Sequence, residues 1–183
     1  MADQTIQIDT AIFGGGCFWG LEAVFQRVRG VRAVTCGYAG GHLSAPDHAM
    51  VCGGNSGHAE VVRIDYDPGE VAYADLLAVF FAIHDPTTRD RQGQDVGCQY
   101  RSVVFAVSDD QELWVREAIE AIDASGQHAD PVVTEVEPAS RFWPADDADR
   151  DYYLNHASEP YCQLVVAPKL TLLQTRFTHL VAG

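Results

Sequence analysis

The sequence predicts an α+β fold: one domain with a mixed sheet, helices packed on it in a ferredoxin-like (split βαβ) core, long loops and an irregular C-terminal arm. Three observations carry this expectation. Segments of strand and helix character follow one another in the order β-α-β, loop, β-α, loop, β-α-β. Two polar stretches, 39–57 and 84–102, exceed the length of an ordinary connection, and ordered loops of that length usually build a site. Beyond Glu137, prolines at 138, 144, 160 and 168 interrupt the chain.

Residues 5–13 are apolar-rich and read as the first strand, ending in the turn Gly14, Gly15, Gly16. Phe18, Leu21, Phe25 and Val28 then recur at near-helical spacing, which predicts a helix over about 20–28 with Gly30 as its stop signal. Residues 31–38 form the second strand. The stretch 39–57 is crowded with Gly, Pro, Ser, Asn and Asp, has no periodicity and reads as a loop. Residues 59–66 alternate as a third strand, with Glu60, Val62 and Ile64 on one face and the turn signal Asp67, Pro68, Gly69 at its end. Residues 74–83 are apolar nearly all round and predict a buried helix. The loop 84–102 leads into a strand over 103–107. Ser108 with Gln111 makes a capping-box start for a helix through Ile122, stopped near Gly126, and 132–136 is a fifth strand. No repeat or linker divides the chain, so residues 1–183 are expected to form one domain.

A chain of 183 residues with 47% hydrophobic content is long enough for one packed core and short for two. Its formal charge of −14, from 26 acidic and 12 basic residues, argues against nucleic acid or an anionic membrane as partner. The N-terminal residues lack the basic start and apolar core of a secretory signal, and no segment approaches the ~20 apolar residues that span a bilayer. A cytoplasmic location is expected. The five cysteines are odd in number and without close pairs, which points away from a disulfide framework and towards thiol chemistry.

GGGCFWG, residues 14–20, sets Cys17 between a glycine turn and the first helical pattern. Unpaired amides and the helix dipole at such a place favour thiolate over thiol, and the glycines let another molecule reach the sulfur. Taken alone, Cys17 reads sooner as a packing cysteine in a tight turn, and the rest of the chain reverses that reading.

GCFWG (16–20), GYAGG (37–41), GHAEVV (57–62) and HDPTT with QGQDVGCQYRS (84–102) together resemble the peptide methionine sulfoxide reductase A family, over about residues 12–169. The resemblance implies thiol-dependent reduction of methionine S-sulfoxide, protein-bound or free, without a cofactor, and with thioredoxin or another dithiol restoring the thiols. The chemistry asks for the same residue types. Sulfoxide sulfur is a weak electrophile, so a soft nucleophile must attack while an acid protonates or strongly hydrogen-bonds the oxygen. Cys17 is the natural thiolate. Glu60, among apolar neighbours on its strand face, is placed for desolvation, which raises a carboxyl pKa and retains a proton. From the strand alone it reads as a solvated glutamate; the resemblance gives it the acid's role. The resemblance further implies that Tyr38 and Tyr100 hydrogen-bond the sulfoxide oxygen and that Asp95 fixes this polar cluster. Phe18 and Trp19 wall the methyl group, and His58 joins the substrate-binding set by supporting its loop.

Attack leaves Cys17 as sulfenic acid, which a second thiol condenses to a disulfide. Cys162, where many family members carry the resolving cysteine, is the first candidate for that thiol, in a segment irregular enough to move. Cys52, immediately before GHAE, is the second. Cys98 reads as a small isosteric replacement, and Cys36, alternating with Val34, as core.

Two places depart from the family. Ala148, Asp149 and Arg150 stand where it shows an acidic pair followed by Tyr, His and Gln, and His48 replaces a common tyrosine. Both lie outside the four motifs, so the chemistry is expected to survive while substrate affinity or the fit of the C-terminal arm differs. The rival readings are a thiol hydrolase or acyltransferase, without a local signature, and a non-catalytic redox sensor or methionine sulfoxide-binding protein, which needs no proton donor. Trp19 breaks a dinucleotide fingerprint. Single scattered histidines, without a His-x-x-x-His pair or cysteine doublet, give no expectation of a metal.

Overall fold

The computed structural model describes residues 7–183, so positions 5 and 6 of the expected first strand lie outside the described residues. Strand β1 (Asp9–Gly14) leads through the glycine turn into helix α1 (Phe18–Phe25), and the chain returns as β2 (Val31–Ala39). β3 (Ala59–Tyr66) lies between β1 and β2, antiparallel to both, so β1 and β2 run parallel with one strand between them. After helix α3 (Tyr73–Ile83), β6 (Val103–Ala106) pairs antiparallel with the other edge of β1. Helix α4 (Asp109–Ser125) then delivers β7 (Glu135–Pro138), parallel to β6, and β8 (Trp143–Pro144) closes the far edge beside β2. The sheet is mixed, in the order β7-β6-β1-β3-β2-β8.

The main core fills the space between one sheet face and helices α1 and α3, where Phe13 stacks on Phe80 at 4.8 Å between ring centres. Glu60, Val62 and Ile64 share that buried face, as the alternation of 59–66 predicts. A smaller cluster of Ile12, Val61, Val103 and Phe105 covers the opposite face.

The long loops carry structure that their composition hides. The first holds a short helix, α2 (His48–Cys52), whose start is fixed by Asp47 Oδ1 accepting the Met50 N–H at 2.8 Å. The second holds a hairpin of β4 (Arg91–Gln92) and β5 (Asp95–Val96), followed by a 3₁₀ turn at Cys98–Tyr100. At α4 the Ser108 hydroxyl accepts the Gln111 N–H as expected. The returning half of the box reaches one residue further, with Gln111 Oε1 accepting from Val107. The fifth strand begins at Glu135 instead of 132 because the Val132 and Val133 amides are spent elsewhere, on Asp123 Oδ1 and the Pro86 carbonyl.

The expected irregular C-terminal arm is overturned. It contains α5 (Tyr152–His156) and a π-helical turn at Cys162–Val166 that runs into α6 (Ala167–Arg176). Pro168 falls in the first turn of α6, where a missing N–H is tolerated, whereas Pro138 and Pro144 sit in the edge strands β7 and β8. Leu170, Leu173 and Phe177 bury the apolar stripe of this helix against the main core.

Candidate active site

Cys17 is the N-cap residue of α1, half-buried, in the extended conformation typical of that position. Gly16 ahead of it takes φ +89°, a left-handed conformation that a side chain would strain, and its N–H donates to the Tyr100 carbonyl at 3.2 Å. That bond ties the Cys17 turn to the second long loop. Arg101 ties this loop to the first, donating to the Cys98 carbonyl at 2.9 Å and the Gly57 carbonyl at 3.2 Å, and pairs with Glu135 at 3.1 Å.

Glu60, on β3, is 1% exposed and stands opposite Tyr38 of β2 in the sheet register. Its Oε2 accepts the Phe18 N–H at 3.1 Å, and the carboxyl lies close enough to the Cys17 thiol for each to bear on the other's pKa. Burial pushes the Glu60 carboxyl up to about 7, helped by the negative charges of Asp149 and Asp95, while the Phe18 amide pulls the other way. The thiol does not behave as the helix-start argument alone expects. Burial and then the charge of Glu60 raise the Cys17 pKa well above that of a free thiol, against the lowering pull of the Trp19 amide and the Tyr161 hydroxyl. A proton therefore stays on sulfur, and the carboxyl holds or loses its own near neutral pH.

The other predicted residues gather around this pair. Phe18 is fully buried, with its ring 5.6 Å from that of Tyr38. The buried Tyr38 hydroxyl has no hydrogen-bond partner, which leaves a donor free. Tyr100 is half-buried on the 3₁₀ turn, and burial followed by Glu60 and Cys17 holds its phenol protonated. Asp95 accepts from the Tyr161 hydroxyl at 2.7 Å. Trp19 stacks on Tyr152 at 3.5 Å, meets Tyr161 edge-on at 6.0 Å, and donates its indole N–H to Asp149 at 3.0 Å. His58 is buried with both ring nitrogens on loop backbone: Nδ1 accepts the Gly41 N–H at 3.1 Å and Nε2 donates to the Leu43 carbonyl at 2.7 Å. It supports the loop.

Cys36 is core, as expected, with its thiol on the Phe18 carbonyl at 3.7 Å. Cys98 contacts the Gly54 carbonyl at the same distance. Cys162 is fully buried within the π-helical turn, whereas Cys52 is exposed on α2 with its sulfur 3.3 Å from His48 Nε2. His48 Nε2, Cys52 Sγ and a Glu60 carboxylate oxygen lie within 4.8 Å of one another.

Sequence reasoning missed three contributors. Tyr161 precedes Cys162 and was passed over for it. Asp149 sat in a stretch read only as a departure. Glu22, one turn into α1, is 1% exposed, accepts the Asp151 N–H at 3.1 Å and is pushed up to about 7 by burial. A lone acid on the apolar face of a helix was the available signal for it.

A thiol at a helix start, a buried carboxyl pushed up to about 7, a phenol with a free donor and an aromatic wall match the class of thiol-dependent oxidoreductases. Comparisons with known proteins resolve the class. The family model described as peptide methionine sulfoxide reductase matches residues 9–180. Peptide methionine sulfoxide reductase MsrA of Chromobacterium violaceum is 51% identical, covering 95% of this chain and 99% of that one. The Ralstonia nicotianae MsrA is 49% identical, over 94% and 92%. Among solved structures, reduced Mxr1 from Saccharomyces cerevisiae aligns with TM-score 0.77 and 30% identity, covering 87% of this chain and 94% of that one. Methionine sulfoxide reductase A of Corynebacterium diphtheriae aligns with TM-score 0.73 and 30% identity, over 85% and 78%. The chain belongs to the peptide methionine sulfoxide reductase family.

Proposed function

We propose that this chain reduces the S epimer of methionine sulfoxide, in proteins and as the free amino acid, by attack of Cys17 while Glu60 supplies a proton to the oxygen. The observation that carries the reading is the placing of Cys17 at the start of α1, whose first amide, that of Phe18, donates at 3.1 Å to the buried Glu60 carboxyl, itself pushed up to about 7 by burial. The sulfoxide oxygen enters the donor cluster of Glu60, Tyr38 and Tyr100, held by Asp95 and Tyr161, and the methyl group rests on Phe18 and Trp19. As the sulfur–sulfur bond forms, the carboxyl proton moves to the sulfoxide oxygen and the thiol proton passes to the carboxylate this leaves. The sulfur–sulfur bond then breaks as the hydroxyl is transferred to the Cys17 sulfur, which releases methionine and leaves Cys17 as sulfenic acid. Cys17→Ser should abolish turnover, and reduction that persists in this variant would overturn the mechanism.

Cys52 is our choice for the resolving thiol. It is exposed and its sulfur is within 4.8 Å of a Glu60 oxygen, whereas Cys162 is fully buried in a helical segment that would have to open. Its thiolate attacks the sulfenic sulfur, forming the Cys17–Cys52 disulfide and releasing water, and a thioredoxin-type dithiol reduces that disulfide. Peptide mapping after one turnover without reductant should find this bridge; a Cys17–Cys162 bridge would reverse the assignment. The split arrangement, with β3 between the parallel β1 and β2 and β6 on the outer side of β1, supports a ferredoxin-like core within one domain. No helix among the described residues is long and apolar enough to cross a membrane, and the reading includes a cytoplasmic location.

A further inference from the structure

We propose that His48, Cys52 and Glu60 form a binding site for a divalent ion of the zinc class at the mouth of the active site, and that an ion there reversibly shuts off reduction. His48 and Cys52 are four residues apart on α2, a helix whose first turn is fixed by Asp47, so both side chains leave the same face. The Cys52 sulfur and His48 Nε2 are 3.3 Å apart, and the Glu60 oxygen completes a triangle within 4.8 Å. An ion held about 2.3 Å from sulfur and about 2.0 Å from nitrogen in tetrahedral geometry separates those two atoms by roughly 3.5 Å. The pair is therefore close to ligand spacing as it stands.

Thiolate, imidazole and carboxylate together suit zinc and are poor for magnesium or calcium. His48 and Cys52 are exposed and Glu60 is buried, so an ion arriving from solvent meets the first two ligands at the surface and the third at the catalytic pair. Three protein ligands leave a fourth position open to water. Binding displaces the Cys52 thiol proton and the Glu60 carboxyl proton to solvent. The second loss removes the proton that reduction requires; this clause rests on the function proposed above. Looking for a His-x-x-x-His pair, sequence reasoning passed over His-x-x-x-Cys.

The test uses the reduced full-length chain, freed of reductant because thiol reductants themselves hold zinc. Zinc is titrated against a chromophoric chelator, and cobalt is added separately to read a sulfur-to-metal charge-transfer band. The expected result is one ion per chain. His48→Ala should weaken binding by roughly ten-fold or more, Cys52→Ser should remove the charge-transfer band, and Cys17→Ser should retain both. Absence of binding, or binding lost in Cys17→Ser and kept in His48→Ala, would overturn the site.

Single-turnover reduction of a methionine sulfoxide peptide is then measured with and without zinc, each variant against itself. Wild type should be inhibited and His48→Ala should be largely insensitive. Zinc that binds without slowing wild type would overturn the inhibitory role. A chain that reduces no sulfoxide even without zinc would instead refute the proposed function, leaving the binding result to stand alone.

Discussion

The backbone N–H of Phe18 donates to Glu60 Oε2 at 3.1 Å, so the first amide of α1 serves the acid while Cys17 caps the same helix start. One helix start thus holds both members of the proposed catalytic pair. Each member's charge also bears on the other, because Glu60 raises the thiol pKa.

Replacing Glu60 by Gln should therefore separate nucleophilicity from catalysis. At about pH 8 the wild-type carboxyl is mostly ionised and suppresses the thiolate. Its removal should speed alkylation of Cys17 by iodoacetamide, because one of the two main causes that hold the thiol protonated is gone. Sulfoxide reduction by the same variant should fall by about one to three orders of magnitude for want of the acid. Parallel losses in both rates would mean that Glu60 activates the thiol instead.

The same carboxyl should cost stability. With its folded pKa raised from 4.5 to about 7, the native state binds more protons than the unfolded chain across that interval, so this group's contribution falls as pH rises through it and is at its worst above about 7. Glu60→Gln should be more stable than wild type at about pH 8 by up to about 3 kcal/mol, with the difference vanishing towards ~pH 4.5. Denaturant unfolding at the two pH values measures it.

Asp149 positions Trp19 through the indole N–H at 3.0 Å, and Tyr152 covers the ring. Asp149→Ala frees the indole and should raise KM for a sulfoxide peptide about ten-fold, with kcat changed by less than about three-fold. Steady-state kinetics that show kcat falling and KM constant would remove Asp149 from substrate binding.

Gly41 marks the closest approach within the first loop. A Cβ there would lie 2.4 Å from both the His58 nitrogen and the Ser56 carbonyl oxygen. Gly41→Ala should destabilise the fold by about 1–3 kcal/mol, a fall in Tm of roughly 2–12 °C.

What the sequence made legible were the features with local causes. The alternation of 59–66 gave β3 at its full extent and put Glu60 on the buried face, and the glycine turn before an apolar pattern put Cys17 at a helix start. The four motifs led to Tyr38, Tyr100, Asp95, Phe18 and Trp19, which the fold gathers from β2, the second long loop and α1. What stayed hidden depends on distant partners. Asp149 gains meaning only from Trp19, 130 positions earlier, and Tyr161 only from Asp95 and Cys17. The C-terminal helix was obscured because proline reads alike as a breaker and as a first-turn residue, and burial of Leu170 and Leu173 decides between them. The thiolate expected at Cys17 failed for a related reason: a helix start lowers a thiol pKa locally, but burial and the buried Glu60 outweigh it.

The central claim is tested most directly by one turnover of the fully reduced chain, without added reductant, on resolved S and R epimers of a methionine sulfoxide peptide, with each cysteine followed by mass. The account predicts about one methionine formed per chain from the S epimer alone, with Cys17 oxidised in the same proportion. Equal consumption of both epimers, or methionine formed while Cys17 remains a thiol, would contradict it.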